Sequence, residues 1–198
     1  MRTGLPKLTT AELQKRADDL FSAGSPAVMK GGVIKSPEER NKKWDLRFLR
    51  LAREVSTWSK DPSTQVGCVI VRPDKTVASL GYNGFPKSVP DDPELLANRE
   101  AKYKIIIHSE INAIIAALEP LEGYTIYTYP FPPCSNCASA FVQAGIARAV
   151  AIRPTEEQYE RWGESLDFAV SQILNKANVP ITYYDASQLD VPTAPVLA

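Results

Sequence analysis

Apolar residues recur at three- and four-residue steps along some stretches of the chain and gather into short β-branched or aromatic runs along others, and this change of period lays out the elements. Leu13, Ala17, Leu20 and Phe21 share one face of a helix that opens on the capping box Thr9-Thr10-Ala11-Glu12 and stops at Gly24. After a loop over 24–35, Ser36-Pro37-Glu38-Glu39 supplies an N-cap, a first-turn proline and an acid for a second, longer helix. Trp44, Phe48, Leu51, Ala52, Val55 and Trp58 form its buried stripe, and Lys60-Asp61-Pro62 ends it, because a residue before proline is driven out of the helical region.

Gly67 to Val71 and Val77 to Tyr82 read as a hairpin turning at Pro73-Asp74-Lys75, with Cys68 as a small buried hydrophobe. The polar segment from Asn83 to Pro93 is either connector or ligand contact. A short helix follows from Asp92-Pro93-Glu94 to about Lys104, and Ile105-Ile106-Ile107 leads into a helix over Ser109 to Leu118 with Ile111, Ile114, Ile115 and Leu118 on its buried face. Tyr124 to Tyr129, Ala147 to Ile152 and Ile181 to Tyr184 are three further strands. Helices are expected over Cys134 to Ala144, stopped by Gly145, and from about Glu164 to Lys176. The helix between the last two strands makes them parallel. Asp185 to Ala198 has no period and reads as a loose tail. The division is an N-terminal extension (1–37), one domain (38–184) and the tail (185–198), with no internal repeat.

Composition narrows the class. The 198 residues suit one domain with an extension, and the apolar runs fall well short of the ~20 residues of a membrane span. The first residues lack an apolar signal core, and three cysteines, two of them closely spaced, suit a reducing cytoplasm. Lys+Arg and Asp+Glu balance at 23 each, so the basic footprint of a nucleic-acid binder is missing and a nucleic-acid partner is disfavoured.

Candidate chemistry centres on His108, the single histidine, in His108-Ser109-Glu110, and on Pro133-Cys134-Ser135-Asn136-Cys137. One imidazole and two thiolates hold a zinc ion through three protein ligands and leave the fourth tetrahedral position for water, while Glu110 supplies a carboxylate beside that water. Both thiolates fall in the first turn of a helix, where backbone amides favour anionic sulfur. Cys-x-x-Cys alone fits a redox pair or half a structural zinc knuckle, and a lone His or Glu fits an ordinary helix position. The conjunction matches the signature of the zinc deaminases, His-x-Glu followed by Pro-Cys-x-x-Cys.

Residues from about Ser59 to Tyr184 resemble the deoxycytidylate (dCMP) deaminase branch of the cytidine deaminase superfamily. The likeness rests on Ser59-Lys60-Asp61-Pro62-Ser63-Thr64-Gln65-Val66-Gly67, Gly81-Tyr82-Asn83-Gly84-Phe85-Pro86, His108-Ser109-Glu110-Ile111-Asn112-Ala113-Ile114 and Gln143-Ala144-Gly145-Ile146. It implies an α/β fold, a three-layer α/β/α sandwich around a five-stranded mixed sheet, in agreement with the strand count above. It also implies one Zn2+ per subunit on His108, Cys134 and Cys137, Glu110 as the catalytic acid and base, and a free nucleotide as substrate. Asn83 would bond the sugar 3′-hydroxyl, Ser59 and Lys60 would lie near the 5′-phosphate, and the Ser109 amide would contact the base carbonyl. Nucleoside cytidine deaminases place Cys where this chain has His108, which favours a nucleotide or base.

Two departures bear on the substrate. Ser109 stands where the family has Ala, and Pro130-Phe131-Pro132-Pro133 is one residue longer than the usual approach to the first thiolate, so 5-substituted dCMP is an alternative to dCMP, as is CMP. Parts of the family respond to dCTP and dTTP and assemble as dimers or hexamers, so these effectors and a homo-oligomer, joined through the N-terminal helices, are expectations. Two other classes compete: a nucleic-acid editing deaminase, which neutral charge disfavours, and a non-catalytic zinc module, which has no use for Glu110.

Overall fold

The computed structural model describes residues 37–190, so the expected first helix, the loop after it, the Ser36 cap and the residues beyond Asp190 lie outside it. Helix α1 (Pro37–Ser56) leads into strands β1 (Gly67–Val71) and β2 (Val77–Tyr82), and short helices α2 (Pro93–Ala97) and α3 (Arg99–Ile105) precede α4 (Ser109–Ala116). Strand β3 (Thr125–Tyr129), helix α5 (Ser135–Gln143), strand β4 (Arg148–Ile152), helix α6 (Glu156–Phe168) and strand β5 (Ile181–Tyr184) complete the fold. The sheet has the order β2-β1-β3-β4-β5; β1 is antiparallel to β2 and β3, and β3, β4 and β5 run parallel. The expected mixed sheet is present, with its last two strands parallel: a tight turn reverses the chain between β1 and β2, whereas α5 and α6 return it in the same direction.

Alternation along the central strands makes three layers. Cys68 and Ile70 of β1 and Ile126 of β3 face Ala113, Phe141 and Leu174, while Val69, Val71, Tyr127, Val150 and Ile152 face Phe48, Leu49 and Ala52 of α1. Every residue of β1 is buried, which is why its sequence reads as a continuous apolar run. Cys68 is fully buried, as expected of a small hydrophobe.

Two glycines bring helices directly onto strands. A Cβ on Gly67 would lie 2.0 Å from the Ala52 carbonyl oxygen of α1, and one on Gly81 would lie 2.2 Å from the Ser109 carbonyl oxygen of α4. No side chain fits at either position, so the start of α4, with Glu110 on it, is seated against β2 backbone to backbone.

A buried carboxylate ties the opposite layer to three strands. Asp45 of α1 is 1% exposed and accepts Arg148 Nη1 and Nη2 at 2.8 and 2.6 Å, Tyr127 Oη at 2.9 Å and Tyr184 Oη at 2.9 Å. Each carboxylate oxygen is satisfied, which a buried charge requires.

Several boundaries differ from the sequence reading. Helix α1 ends at Ser56 because Thr57 and Trp58 turn back with bonds to Glu54 and Val55, three residues earlier, and the Ser56 and Thr57 hydroxyls occupy carbonyls of the last turn. Trp58 therefore leaves the buried stripe and stands half exposed, edge-on to Tyr82. The expected helix over 93–104 breaks at Asn98, whose side chain caps α3 by accepting from Ala101 N. Helix α4 stops at Ala116, and its close seat on β2 buries Ser109, Glu110 and Ala113, leaving Ile115 67% and Leu118 98% exposed. Helix α6 begins at Glu156, not Glu164, on a capping box between Thr155 and Gln158, and continues into a wider π-type turn over Ala169–Leu174. Residues 185–190 are not loose: Ala186–Leu189 form a 3-10 turn, Leu189 packs with Phe48 and Val71, and Arg50 Nε donates to the Leu189 carbonyl at 2.7 Å. Among the described residues no helix is long and apolar enough to cross a membrane.

Asp45→Ala leaves Arg148 and two tyrosine hydroxyls without their acceptor, at an expected cost of about 3 kcal/mol. Chemical denaturation checks it, and a loss below about 1 kcal/mol contradicts the anchoring role assigned to Asp45.

Candidate metal and catalytic site

The site is assembled from two helix starts. His108 is the N-cap of α4 and Cys134 the N-cap of α5, and neither side chain turns back to cap its own helix, so both are free to point across the gap between them. Cys137 follows one turn into α5. His108 is held in place from behind, because Ile107 forms a two-bond bridge with Gly84 in the loop after β2.

His108 Nδ1 lies 3.5 Å from Cys134 Sγ and 3.3 Å from Cys137 Sγ, and the three donor atoms lie within 4.8 Å of one another. Tetrahedral zinc, with Zn–N near 2.0 Å and Zn–S near 2.3 Å, needs N···S separations of about 3.5 Å. The donor set therefore fits zinc in chemistry and in spacing, and these residues would hold it.

Electrostatics points the same way. The positive ends of α4 and α5 converge here, which favours anionic sulfur and carboxylate. A hydrogen bond with Cys137, opposed by burial and helped by His108, pulls the Cys134 thiol down to about 4. The same bond and burial push Cys137 up. The bond to Cys134 raises His108 against the opposing effect of burial. Burial pushes the Glu110 carboxyl up, and His108 and the Ser109 hydroxyl, donating to Glu110 Oε2 at 2.9 Å, pull it partly back.

A cleft of about 620 Å3, counting its open mouth, reaches His108, Ser109, Glu110 and Cys134. Phe131 and Trp162, stacked at 4.9 Å between centroids, line it together with Asp61, Asn83 and Lys102. Trp162 comes from α6, which is tied to the start of α5 by the Ser135 amide donating to Ser165 Oγ at 3.2 Å.

The expected site residues fall into two groups. His108, Glu110, Cys134, Cys137 and Ser109 come together, with Ser109 fully buried against Glu110. Asn83 lines the cleft with its side chain already engaged: Oδ1 accepts Val66 N at 2.7 Å, and Nδ2 donates to the Thr64 carbonyl at 2.8 Å and to Asp61 Oδ2 at 3.4 Å. Ser59 does not line the cleft; its hydroxyl donates to the Asn83 carbonyl at 2.8 Å. Lys60 also lies outside it, in an adjoining groove with Lys87 and Asp91, and pairs with Asp91 at 2.6 Å. Sequence reasoning missed Asp61, Lys102 and Trp162 as cleft residues, whereas Phe131 lies in the Pro130 to Pro133 segment that it singled out for the substrate. The capping box at Thr155-Glu156-Glu157-Gln158 was the available signal for Trp162, and Asp61-Pro62-Ser63-Thr64 carries the pattern of a side-chain-capped turn, realised as Ser63 N and Thr64 N donating to Asp61 Oδ1.

Residues 42–153 match the cytidine and deoxycytidylate deaminase zinc-binding region. An uncharacterized deaminase from the luxG 3′ region of Aliivibrio fischeri is 43% identical over 142 residues, 71% of this chain and 93% of that protein. A probable deoxycytidylate deaminase of Caenorhabditis elegans is 40% identical, covering 56% of this chain and 58% of that one, and the human deoxycytidylate deaminase is 34% identical, covering 54% and 63%. The chain thus spans about three-fifths of the length of these two relatives. The dCMP deaminase of cyanophage S-TIM5, solved with dCMP and dUMP, superposes with a TM-score of 0.57 over 76% of this chain and all of that one, at 17% identity, a likeness of fold.

Cys134→Ser keeps the size of the side chain but removes a thiolate ligand, and zinc affinity is expected to fall by at least roughly a hundredfold. Metal analysis after dialysis checks this, and full zinc retention contradicts the ligand set. The matched region, the relatives and the His108, Cys134 and Cys137 group together place the chain in the cytidine and deoxycytidylate deaminase family, as a zinc-dependent deaminase.

Proposed function

We propose that the protein hydrolyses deoxycytidine monophosphate to deoxyuridine monophosphate and ammonia. The observation that carries this reading is the buried Glu110 carboxylate beside the His108, Cys134 and Cys137 donor group, at the end of a cleft bordered by Asp61 and Asn83. Those same two residues also line the groove that contains Lys60 and Lys87. A base at the metal end therefore puts the sugar at Asp61 and Asn83 and directs a 5′-phosphate toward Lys60, the placement the family resemblance suggests. The deoxycytidylate deaminases among the relatives support a nucleotide over a nucleoside.

Zinc, when bound, supplies the Lewis acidity that brings the ionisation of water from about 15.7 toward neutral pH. Glu110 takes a proton from the attacking water as oxygen bonds to C4 of the pyrimidine, and it delivers that proton to N3. It then carries the new hydroxyl proton to the exocyclic nitrogen, the C4–N4 bond breaks, and ammonia leaves with uracil as the product base. Burial raises the Glu110 carboxyl, the direction that helps a carboxylate donate as well as accept, and the Ser109 hydroxyl donates to Oε2 at 2.9 Å. The Ser109 amide, at the buried start of α4, is the group that the family resemblance assigns to the base carbonyl. The stacked Phe131 and Trp162 rings give the pyrimidine an apolar wall and exclude water from that side.

The cytoplasmic setting expected from the cysteine usage suits ligands that function as free thiolates. Exposed Ile115 on α4 and Leu118 just after it support a homo-oligomer, a dimer or hexamer as in the family, with dCTP and dTTP as its candidate effectors.

Ultraviolet-monitored deamination by the zinc-loaded protein tests the reading with dCMP, CMP, deoxycytidine and 5-methyl-dCMP. The expected result is a kcat/KM for dCMP at least about tenfold above the others. Faster turnover of 5-methyl-dCMP moves the substrate to a ring-substituted nucleotide admitted by the Phe131 and Trp162 wall, and preference for deoxycytidine overturns the nucleotide reading. Glu110→Ala is expected to keep its zinc and lose roughly 100- to 10,000-fold in kcat; full activity in that variant contradicts the role of Glu110.

A further inference from the structure

Ser109 is fully buried, and its hydroxyl donates to Glu110 Oε2 at 2.9 Å; among the described residues no other protein group bonds that hydroxyl. A serine at a helix start ordinarily turns its hydroxyl to water or to the backbone around it. Burying a hydroxyl is unfavourable unless a partner answers it, and the alanine that the family resemblance places here would be buried at no such cost. Packing therefore gives no reason for the hydroxyl, and its one bond goes to the carboxylate that the chemistry uses.

The serine is the fixed member of that pair. Helix α4 is fastened to β2 at three points: the backbone contact at Gly81, where a Cβ would lie 2.2 Å from the Ser109 carbonyl oxygen, Ser79 Oγ donating to the Ala113 carbonyl at 2.7 Å, and Asn112 Nδ2 donating to the Tyr82 carbonyl at 2.8 Å. The Ser109 backbone cannot shift to follow the Glu110 side chain, so their bond sets where the carboxylate lies.

Glu110 passes twice through the carboxylic acid in each turnover, and an acid protonated on one oxygen leaves the other as acceptor alone. A proton on Oε2 would meet the Ser109 hydroxyl proton head-on, and that hydroxyl has no second acceptor among the described residues to turn to. A proton on the other oxygen, Oε1, leaves the Ser109 bond intact in both charge states. We propose that Ser109 is a positioning residue that confines the travelling proton to Oε1 of Glu110. The water proton goes to Oε1 as oxygen bonds to C4 and passes from there to N3; the proton of the new hydroxyl then follows through the same oxygen to the exocyclic nitrogen, and the C4–N4 bond breaks. Without the Ser109 hydroxyl either oxygen takes the proton and the carboxyl group turns about its last bond, a broad torsion, so a share of the protonated molecules present no proton to the ring. This inference rests on the deamination reading and on Glu110 as its proton carrier.

The test compares the zinc-loaded full chain with its Ser109→Ala variant, a smaller residue that the seat on β2 accommodates. The expected result is a kcat for dCMP lower by roughly 3- to 20-fold, the worth of one hydrogen bond to a charged group, with KM within about twofold. A binding measurement stands beside it, using the 5′-monophosphate of pyrimidin-2-one deoxyriboside, which takes up water at C4 through the same proton transfer to N3 but has no amine to lose. The variant is expected to bind this analogue more weakly by about the factor lost in kcat, while dUMP, which receives no proton, binds within about twofold of wild type. Zinc content and the unfolding midpoint are recorded alongside. A kcat within twofold of wild type overturns the inference, as does equal weakening of dUMP and the analogue, which would make Ser109 a packing residue of the pocket. Turnover of deoxycytidine or 5-methyl-dCMP in place of dCMP overturns the substrate reading alone, and the kcat comparison on that substrate then decides the role of Ser109. A wild type that deaminates none of them overturns both.

Discussion

Two helix N-termini meet at one point, and the site depends on that meeting. The positive ends of α4 and α5 repel unless negative charge lies between them, and the chain supplies it as thiolate and carboxylate. His108 and Cys134 occupy equivalent N-cap positions, each without a cap bond, so the helix geometry itself aims both ligands into the gap. The cost is two uncapped helix starts, and metal ligation is what offsets it.

The rest of the fold holds those helix starts in register. Gly81 admits α4 onto β2 at backbone contact, and the Ile107 to Gly84 bridge fixes the approach to His108. Strand β3 runs straight into Pro130 to Pro133 and so delivers Cys134 to α5 from the centre of the sheet. On the far face Asp45 locks α1 to Tyr127, Arg148 and Tyr184, one residue from each of β3, β4 and β5. The sheet behaves as a rigid plate with ligands mounted on one side, which is what preorganised chemistry requires.

What was legible in the sequence follows from range. The zinc donors and Glu110 lie in local motifs, two or three residues apart, and local motifs keep their meaning without a fold. All five strands were visible because their β-branched and aromatic runs end in turn residues. Lys102 and Asp61 are separated by 41 residues and Arg148 and Asp45 by 103, and no periodicity links such pairs before the strands are ordered. In sequence Asp45 and Lys102 look like solvated helix positions, and only packing shows that both are buried. Ile115 and Leu118 differ for a related reason: periodicity alone puts them on the core face with Ile114, whereas the close seat at Gly81 turns Ser109, Glu110 and Ala113 inward, keeps Ile114 packed on the core and leaves Ile115 and Leu118 outside.

The central claim is a zinc centre with three protein ligands and one open position served by Glu110. Zinc K-edge X-ray absorption on the loaded protein tests it most directly. The account predicts two sulfurs near 2.3 Å and one imidazole nitrogen with one further light atom near 2.0 Å. A shell of three or four sulfurs, or one completed by the Glu110 carboxylate, would contradict it, because the metal would then be structural and Glu110 would have no proton to carry.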